Sequence, residues 1–231
     1  SIHADPGCVE FPSPILKSWS SARAWYEQAL SAAEQMGLTP YEKTQEGGCG
    51  HIHMGNLSSK QRIRAVVEAY KHPYLSWFFA SPNVVKYCQS IANHIKTTPS
   101  STLPDEYVFS YAHNKRIPYI LEILDKRAIL SNRNHTLEWR AFDSAASWEE
   151  QASHIAFYQR FVAYSQRANT GKFSDLSKDY ALAKVLAYRN DFNACVKGMK
   201  SLIASLELEW KDYSYLVDVN LKPAFKFGRR L

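Results

Sequence analysis

Apolar side chains recur three or four positions apart in the segment that follows Ser18, which is the spacing of one face of an α-helix. These residues are Ala22, Trp25, Ala29, Ala33 and Met36. Gly37 follows them at a position where a left-handed helix cap is typical. The pattern predicts an amphipathic helix that begins near Ser18 and ends near Gly37.

An alternating pattern of apolar and polar residues replaces the helical spacing in several short segments, and such alternation predicts β-strands. The predicted strands cover residues 8–11, 43–55, 126–131 and 135–142. Prolines at positions 12 and 14 end the first strand, because proline lacks a backbone donor. Residues 132–134, Asn-Arg-Asn, are predicted to connect the last two strands.

Further helices are indicated by start signals and by apolar spacing. They are expected at residues 58–70, 81–96, 147–167 and 174–210, the last broken near Asn190. Ser147 and Glu150 have the spacing of a capping box, which would start the third of these helices. Residues 97–104 are rich in Thr, Ser and Pro and predict a loop.

The order of these elements indicates the fold class. Strands joined by a hairpin, without regular alternation of strand and helix, favour an α+β fold in which helices cover one face of an antiparallel sheet. We expect residues 1–170 to form this α+β domain. Residues 171–231 are expected to form a mostly helical C-terminal extension packed on the same domain.

The composition supports a folded core and excludes several protein classes. The chain has 231 residues, 45% hydrophobic and 13% aromatic, which excludes disordered and collagen-like proteins. No run of about 18 apolar residues is present, so no membrane-spanning helix is expected. The net charge of +6 is scattered along the chain, which argues against nucleic-acid binding and suits a site for anions such as nucleotide phosphates.

The cysteines indicate the cellular compartment, and the first residues indicate how the chain begins. The four cysteines share no CxxC spacing, which argues against a redox pair or structural zinc site and indicates a reducing compartment, the cytoplasm. Residues 1–6 have neither the basic start nor the apolar stretch of a signal peptide, and the first residue is Ser1. We therefore expect a processed or truncated start.

Two histidines form the first candidate site. His51 and His53 are separated by one residue in a predicted strand, so both side chains project from the same face. The glycines at positions 47, 48 and 50 would let a ligand approach the backbone closely. The pattern predicts a metal or phosphate site, and a histidine pair without a ligand is the alternative. Cys49 beside them leaves open a zinc site shared with Cys8. The histidine pair also leaves open a zinc hydrolase.

A second candidate site lies on the last predicted strand. Leu137, Trp139 and Ala141 share one face, and Glu138 and Arg140 share the other. A carboxylate can hold a hard cation and a neighbouring guanidinium can bind phosphate oxygens, so this pair suits half of a metal–nucleotide site. The alternative is a solvent-exposed acid–base pair, which contributes little energy.

Three segments in a fixed order connect these sites to a known family. They are Val-Glu-Phe-Pro-Ser-Pro at residues 9–14, Gly-Cys-Gly-His-Ile-His-Met-Gly at residues 48–55 and Thr-Leu-Glu-Trp-Arg-Ala-Phe-Asp at residues 136–143. With shorter matches at residues 80–88 and 126–130, their order over residues 8–167 resembles the amidoligases. These are carboxylate–amine ligases of the glutamine synthetase and glutamate–cysteine ligase superfamily.

The resemblance implies a glutamine synthetase-like fold, in which a curved antiparallel sheet binds ATP and Mg²⁺. The carboxylate of a small molecule, peptide or protein would attack the γ-phosphate, and an amine would then capture the acyl phosphate. Glutamine synthetase builds its sites between subunits, which leaves the oligomeric state of this chain open.

The resemblance also implies roles for individual residues. Glu10, His51 and Glu138 would be metal ligands. These cations would neutralise charge in phosphoryl transfer, a reaction that depends mainly on positioning and electrostatics.

Three basic residues would contact phosphate or substrate. His53 would contact the nucleotide phosphates, and Arg140 would bind the nucleotide and clamp the transferring γ-phosphoryl group. Arg127 would be a second catalytic arginine, in contact with phosphate or substrate.

One family feature has no counterpart in this sequence. Amidoligase domains begin with a G-x-E-x-E strand whose glutamates hold metal, and no such segment precedes Glu10. The E-x-E pair Glu207 and Glu209 lies in a helix-prone stretch and is predicted to be a solvated helix end. The alternative function is therefore a non-catalytic structural or assembly protein, such as a processed virion component, that keeps the amidoligase fold.

Overall fold

The protein is represented by a computed structural model. It describes residues 3–5, 8–38, 49–80, 130–133, 136–168, 187–188 and 190–226. The helix predicted at residues 81–96 and the loop predicted at residues 97–104 lie outside the described residues. Within these ranges no helix is both long and apolar enough to cross a membrane.

The strands form two antiparallel sheets in the described part of the chain. The first sheet pairs β1 (His3–Asp5) with β2 (Cys8–Glu10). The second consists of β3 (Cys49–Met54), β4 (Leu130–Arg133) and β5 (Thr136–Asp143), with β5 in the centre. β2, β3, β4 and β5 overlap the predicted strands, whereas β1 was not predicted. Residues 43–48 and 126–129 of the predicted strands lie outside the described residues.

Strand β4 ends two residues later than predicted, at Arg133. Asn132 and Arg133 were expected in the connection between these strands, but both residues belong to β4. Arg133 pairs directly with Thr136, because the ladder continues almost to the end of the hairpin. The third residue of the predicted connection, Asn134, lies outside the described residues.

Helices account for most of the remaining described residues. They are α1 (Trp19–Gln35), α2 (Ser59–Tyr70), α3 (Leu75–Phe79), α4 (Trp148–Arg167), α5 (Phe192–Ser205) and α6 (Lys222–Lys226). A 3-10 turn at Trp210–Asp212 and a π-helical turn at Val217–Leu221 lie between α5 and α6. The mixture of helices and antiparallel strands confirms the α+β class.

Short polar side chains start the helices at the predicted positions. Ser18 and Ser58 each accept a hydrogen bond from the backbone three residues later, as N-caps do. Gly37 ends α1 with a φ of 70°, which is the left-handed conformation expected for a helix C-terminus. Asp191 caps α5, so the predicted break near Asn190 is confirmed.

Ser147 also caps α4, but only half of the predicted capping box forms, because the Glu150 carboxylate accepts from the backbone of Ala146 and not from that of Ser147. The Ser147 hydroxyl accepts a hydrogen bond from the Glu150 N–H at 3.2 Å. The Glu150 carboxylate accepts from the Ala146 N–H at 2.9 Å and from the Tyr215 hydroxyl at 3.1 Å. The start of α4 is thereby connected to the C-terminal turns.

An aromatic core joins the second sheet to the helices. Leu137, Trp139 and Ala141 are fully buried, which confirms the predicted inward face of β5. The whole of α3 is buried with them, and Phe79 lies 4.4 Å from Phe157 of α4 between ring centroids. The same buried cluster contains Cys195, Met199, Leu202 and Ile203 of α5. The domain boundary at residue 170 stays a prediction.

A β-bulge interrupts the pairing of β3 with β5. Gly50 pairs with Phe142 and Ile52 pairs with Trp139, so the single residue His51 lies opposite both Arg140 and Ala141. A Cβ atom at Gly50 would lie 3.0 Å from the Asp143 carbonyl oxygen. Gly50 was expected to make room for a ligand, and the structure instead shows β5 in that space.

Candidate functional site

Four polar side chains meet on the face of the sheet opposite Trp139. We call His51, His53, Glu138 and Arg140 the Glu138 cluster. Strand alternation directs Glu138 and Arg140 away from the core, and the register places His53 directly opposite Glu138. The structure therefore brings together two sites that the local strand patterns predicted separately.

The nitrogen atoms of the cluster converge on one carboxylate oxygen. Oε1 of Glu138 accepts a hydrogen bond from Nη1 of Arg140 at 2.8 Å. Nδ1 of His51 lies 3.3 Å from the same oxygen, and Nε2 of His53 lies 3.5 Å from it. The guanidinium is therefore hydrogen-bonded to the carboxylate, and both imidazoles lie within ion-pairing distance of the same oxygen.

Exposure increases outwards from the carboxylate. The side chain of Glu138 is 4% exposed and that of Arg140 is 16% exposed, whereas His51 and His53 are 27% and 47% exposed. The alternative interpretation of Glu138 and Arg140 as a solvent-exposed pair is therefore wrong. The carboxylate lies at the base of the cluster, and the imidazoles lie where a ligand from solvent would arrive.

The two histidines present different ring nitrogens to Glu138. His51 faces the carboxylate with Nδ1, and His53 faces it with Nε2. The other nitrogen of His53, Nδ1, lies 3.0 Å from Oγ1 of Thr136, which is on the same face of β5. The imidazoles are therefore not equivalent, although both project from the same strand.

The remaining predicted site residues are not joined to this cluster by the described contacts. Glu10 lies on β2, which pairs with β1, and its side chain is outside the described part of the structure. Arg127 and the side chains of Cys8 and Cys49 are also outside it. Among the described residues, no group of three or more His, Cys, Asp or Glu side chains is arranged to hold a metal ion. The metal-ligand roles remain predictions.

The predicted solvated helix end at Glu207 is confirmed. Helix α5 ends at Ser205, and Glu207 follows with a φ of 57°. Its carboxylate lies 3.1 Å from Nη1 of Arg160, and both side chains are more than half exposed. Glu207 and the exposed Glu209 therefore lie in a surface turn and do not replace the G-x-E-x-E strand.

A second buried carboxylate, which the sequence interpretation missed, lies at the end of α2. We call Glu68, Lys71, His72 and Tyr74 the Glu68 cluster. Oε1 of Glu68 lies 3.2 Å from Nε2 of His72, and Oε2 lies 3.0 Å from Nζ of Lys71. Burial raises the pKa of Glu68, but hydrogen bonds from His72 and Lys71 outweigh it, so the pKa lies below its ordinary value. The i, i+3 and i, i+4 spacing was the available signal.

The Glu68 cluster continues into the core through Tyr74. Nδ1 of His72 lies 2.7 Å from the Tyr74 hydroxyl, and burial raises the pKa of this phenol above its ordinary value. The Tyr74 ring packs against Tyr188 at 4.9 Å between centroids. A Cβ at Gly198 would lie only 2.8 Å from Cε1 of Tyr74, so glycine is needed there for this close approach. The cluster connects α2 and α3 to α5.

His154 of α4 is a third polar side chain that the sequence interpretation missed. It stacks on Phe142 with 4.3 Å between ring centroids, and it is 2% exposed. Burial lowers the pKa of His154 to about 3, so the imidazole is neutral at physiological pH. Within the described residues its Nδ1 has no hydrogen-bond partner.

The chain matches no protein-family model, no curated protein and no solved structure.

Proposed function

We propose that this protein binds ATP together with Mg²⁺ and forms an amide bond between a carboxylate and an amine through an acyl phosphate. The observation that supports this proposal is the Glu138 cluster, in which a buried carboxylate, two imidazoles and a guanidinium converge on two neighbouring strands. Phosphoryl transfer depends on positioned cations and on neutralisation of phosphate charge, and these residue types supply both.

Binding of the nucleotide would exchange ionic partners within the cluster. Before binding, Arg140 neutralises Glu138 through the hydrogen bond to Oε1. In the proposed complex, Glu138 would hold Mg²⁺, and the Arg140 guanidinium, whose planar fork suits phosphate oxygens, would bind the γ-phosphate. His51 would support the cation and His53 would donate to a phosphate oxygen. Each charged group would thus keep a partner of opposite sign.

The donor set fits a metal–nucleotide complex better than a bare metal ion. Mg²⁺ prefers oxygen ligands, and in nucleotide sites it uses one or two carboxylates together with phosphate oxygens and water. The described part of the cluster supplies one carboxylate, Glu138. The proposal therefore requires the nucleotide to contribute most of the remaining ligands. Glu10 remains the proposed second carboxylate, and Arg127 the proposed second arginine.

The glutamine synthetase-like arrangement belongs to this proposal. The order of the three sequence segments supports it, as does the antiparallel pairing of β3 with β5, which bears two of them. The substrates would be the carboxylate of a small molecule, peptide or protein and an amine. The carboxylate oxygen would attack the γ-phosphorus with loss of ADP, and the amine nitrogen would then displace phosphate from the acyl carbon.

A second candidate function is a non-catalytic structural or assembly role, for example as a virion component. The observation that favours it is the ion pair of Glu138 with Arg140, which neutralises the carboxylate without a metal ion. In this case the cluster would only stabilise the sheet.

Calorimetric titration of Mg·ATP into the protein distinguishes the two functions. We expect binding that is lost with EDTA and weakened by at least about 50-fold in Glu138→Ala, since the cation would lose its carboxylate. Glu207→Ala is the matched control, because this carboxylate is exposed and paired with a surface arginine. A folded protein that does not bind Mg·ATP would favour the structural role. Binding of Zn²⁺ without nucleotide would instead favour the zinc hydrolase.

The proposed chemistry has a direct test in a chemical trap. Hydroxylamine captures an acyl phosphate as a hydroxamate, so it replaces an unknown amine while carboxylates are varied. We expect hydroxamate and ADP to form in equal amounts with the correct carboxylate. Arg140→Ala should abolish both products, and nucleotide binding without either product in any carboxylate pool would count against a ligase.

A further inference from the structure

We propose that Thr136 is a positioning residue that holds the His53 ring with Nε2 directed at Glu138, so that the two histidines of the cluster have different tasks. In this arrangement His53 donates an N–H group, and His51 offers a lone pair. The ring orientation stands on the contacts alone, and only its effect on ligand binding rests on the proposed function.

The strand geometry places Thr136 where it can fix the ring. Thr136 precedes Glu138 by two residues, so both side chains lie on the same face of β5. His53 lies opposite Glu138 in the ladder, and its Nδ1 lies 3.0 Å from Oγ1 of Thr136. Threonine is stiff at χ1 because it is β-branched, so its hydroxyl is a well-defined partner on a strand.

The partners of the rings determine which nitrogen carries the proton. Oε1 of Glu138 is an acceptor, so the ring nitrogen that faces it is expected to be the protonated one. For His53 this nitrogen is Nε2, and Nδ1 is then an acceptor for the Thr136 hydroxyl. For His51 the nitrogen that faces Glu138 is Nδ1, which leaves the lone pair on Nε2. The two rings therefore have opposite tautomers.

The two tautomers correspond to two kinds of ligand contact. A lone pair at Nε2 allows His51 to coordinate a cation, because a metal binds the unprotonated nitrogen. An N–H group at Nε2 allows His53 to donate to a phosphate oxygen. Without the Thr136 hydroxyl, the His53 ring could rotate and present a lone pair to that oxygen. Groups that orient imidazoles in this way affect metal-site affinity even though they do not touch the ligand.

Nitrogen-15 NMR of histidine-labelled protein tests the ring orientation without any ligand. At about pH 9, where neutral imidazole predominates, we expect His53 to show a protonated Nε2 and His51 a protonated Nδ1. His51→Gln and His53→Gln assign the signals. Thr136→Val should remove the tautomer preference of His53, and Thr136→Ser should retain it. Equal tautomers for both rings, or an unchanged His53 in Thr136→Val, would overturn the inference.

Calorimetry with Mg·ATP supplies the second readout. Thr136→Val is expected to weaken binding about tenfold, which is the lower end of the range typical of groups that orient metal-site histidines, and Thr136→Ser is expected to restore it to within about 2-fold. Wild-type protein that does not bind Mg·ATP contradicts the proposed function but not the tautomer assignment. Equal Mg·ATP affinity of wild type and Thr136→Val would overturn the positioning role.

Discussion

The two buried glutamates of this protein have similar surroundings but distribute their partners differently. Glu68 divides them, because His72 contacts Oε1 and Lys71 contacts Oε2. Glu138 instead has three nitrogens within 3.5 Å of Oε1. The side chains of both glutamates are almost fully buried. Burial by itself therefore does not distinguish a structural carboxylate from a functional one.

The origin of the partners is the second difference. Those of Glu68 come from the same helix end, and the network is completed by Tyr74 in the core. Glu138 has one partner on its own strand, Arg140, and two on β3, which is distant in sequence. A network confined to one helix end stabilises its own segment. A network that joins two distant strands can exchange one of its partners for a ligand, which is the behaviour that the proposed function requires.

The strongest test of this comparison is the isosteric pair Glu68→Gln and Glu138→Gln. Both variants should lose stability, on the order of 2–4 kcal/mol, because each leaves a largely buried basic group without its counter-charge. Only Glu138→Gln should also lose Mg·ATP binding. Urea unfolding and calorimetry on the same samples measure the two effects.

The contrast between the two glutamates would be wrong if Glu68→Gln and Glu138→Gln had the same effect on Mg·ATP binding. Equal weakening of Mg·ATP binding in both variants would show that Glu138 acts through general stability. Intact binding in Glu138→Gln would show that its carboxylate is as structural as that of Glu68.

Acid pH should affect the sheet region before it affects the Glu68 cluster. His154 lies under β5, and because its pKa is lowered to about 3 from 6.5, the unfolded chain binds its proton first. Stability is therefore lost as pH falls below about 6.5, by on the order of 2–3 kcal/mol at pH 4.5. His154→Phe should remove this loss in urea titrations between pH 7 and 4.5. An unchanged pH dependence in the variant would contradict this origin.

Hydrogen bonds, and not burial, lower the pKa of Glu68, and its effect on stability falls at lower pH than that of His154. Because the pKa is below its ordinary value of 4.5, the carboxylate contributes stability above that pH and loses it as pH falls further. In a His154→Phe background, the remaining acid loss should begin near pH 4.5. It should be smaller in His154→Phe combined with Glu68→Gln.

The basic partners should also differ in their tolerance to substitution. Arg140→Lys is expected to weaken Mg·ATP binding about tenfold, since a lysine cannot form the planar two-point contact with phosphate. Lys71→Arg should leave binding unchanged and alter stability by less than about 0.5 kcal/mol, because this partly exposed cation only balances Glu68. Calorimetry and urea unfolding provide both values. Equal affinities of Arg140→Lys and wild type would remove the phosphate role.

The smallest expected effect concerns the hydroxyl group that completes the Glu68 cluster. Tyr74→Phe removes the contact with Nδ1 of His72 and should lower the free energy of unfolding by about 1 kcal/mol, the typical value of one hydrogen bond. Mg·ATP binding should not change. A loss of binding in Tyr74→Phe would connect the two clusters, and their separation would then be wrong.

Local patterns predicted the parts of the candidate site, and only the family resemblance predicted that the parts lie together. Strand alternation is a short-range property, so it correctly placed His51 beside His53 and Glu138 beside Arg140. The contact between these pairs depends on the register of β3 with β5, which is a long-range property. The burial of Glu138 depends on tertiary packing in the same way, and this is why a solvent-exposed pair was a reasonable but wrong interpretation.

Other features had weaker signals in the sequence. The caps at Ser18, Ser58 and Asp191 are local and were predictable. The Glu68 cluster has helical spacing, but exposed helices show the same spacing, so only its burial makes it notable. His154 had no distinguishing neighbour in the sequence, because the ring on which it stacks, Phe142, belongs to another element.

The bulge opposite His51 changes which residues of β5 face the core. Up to Ala141 the odd-numbered residues face the core, and after the bulge the even-numbered Phe142 does so. Removal of one of the two residues opposite His51, Arg140 or Ala141, would restore regular alternation, and Trp139 and Phe142 would both still face the core. The bulge thus accommodates one additional residue in β5 without changing the face of the residues that follow it.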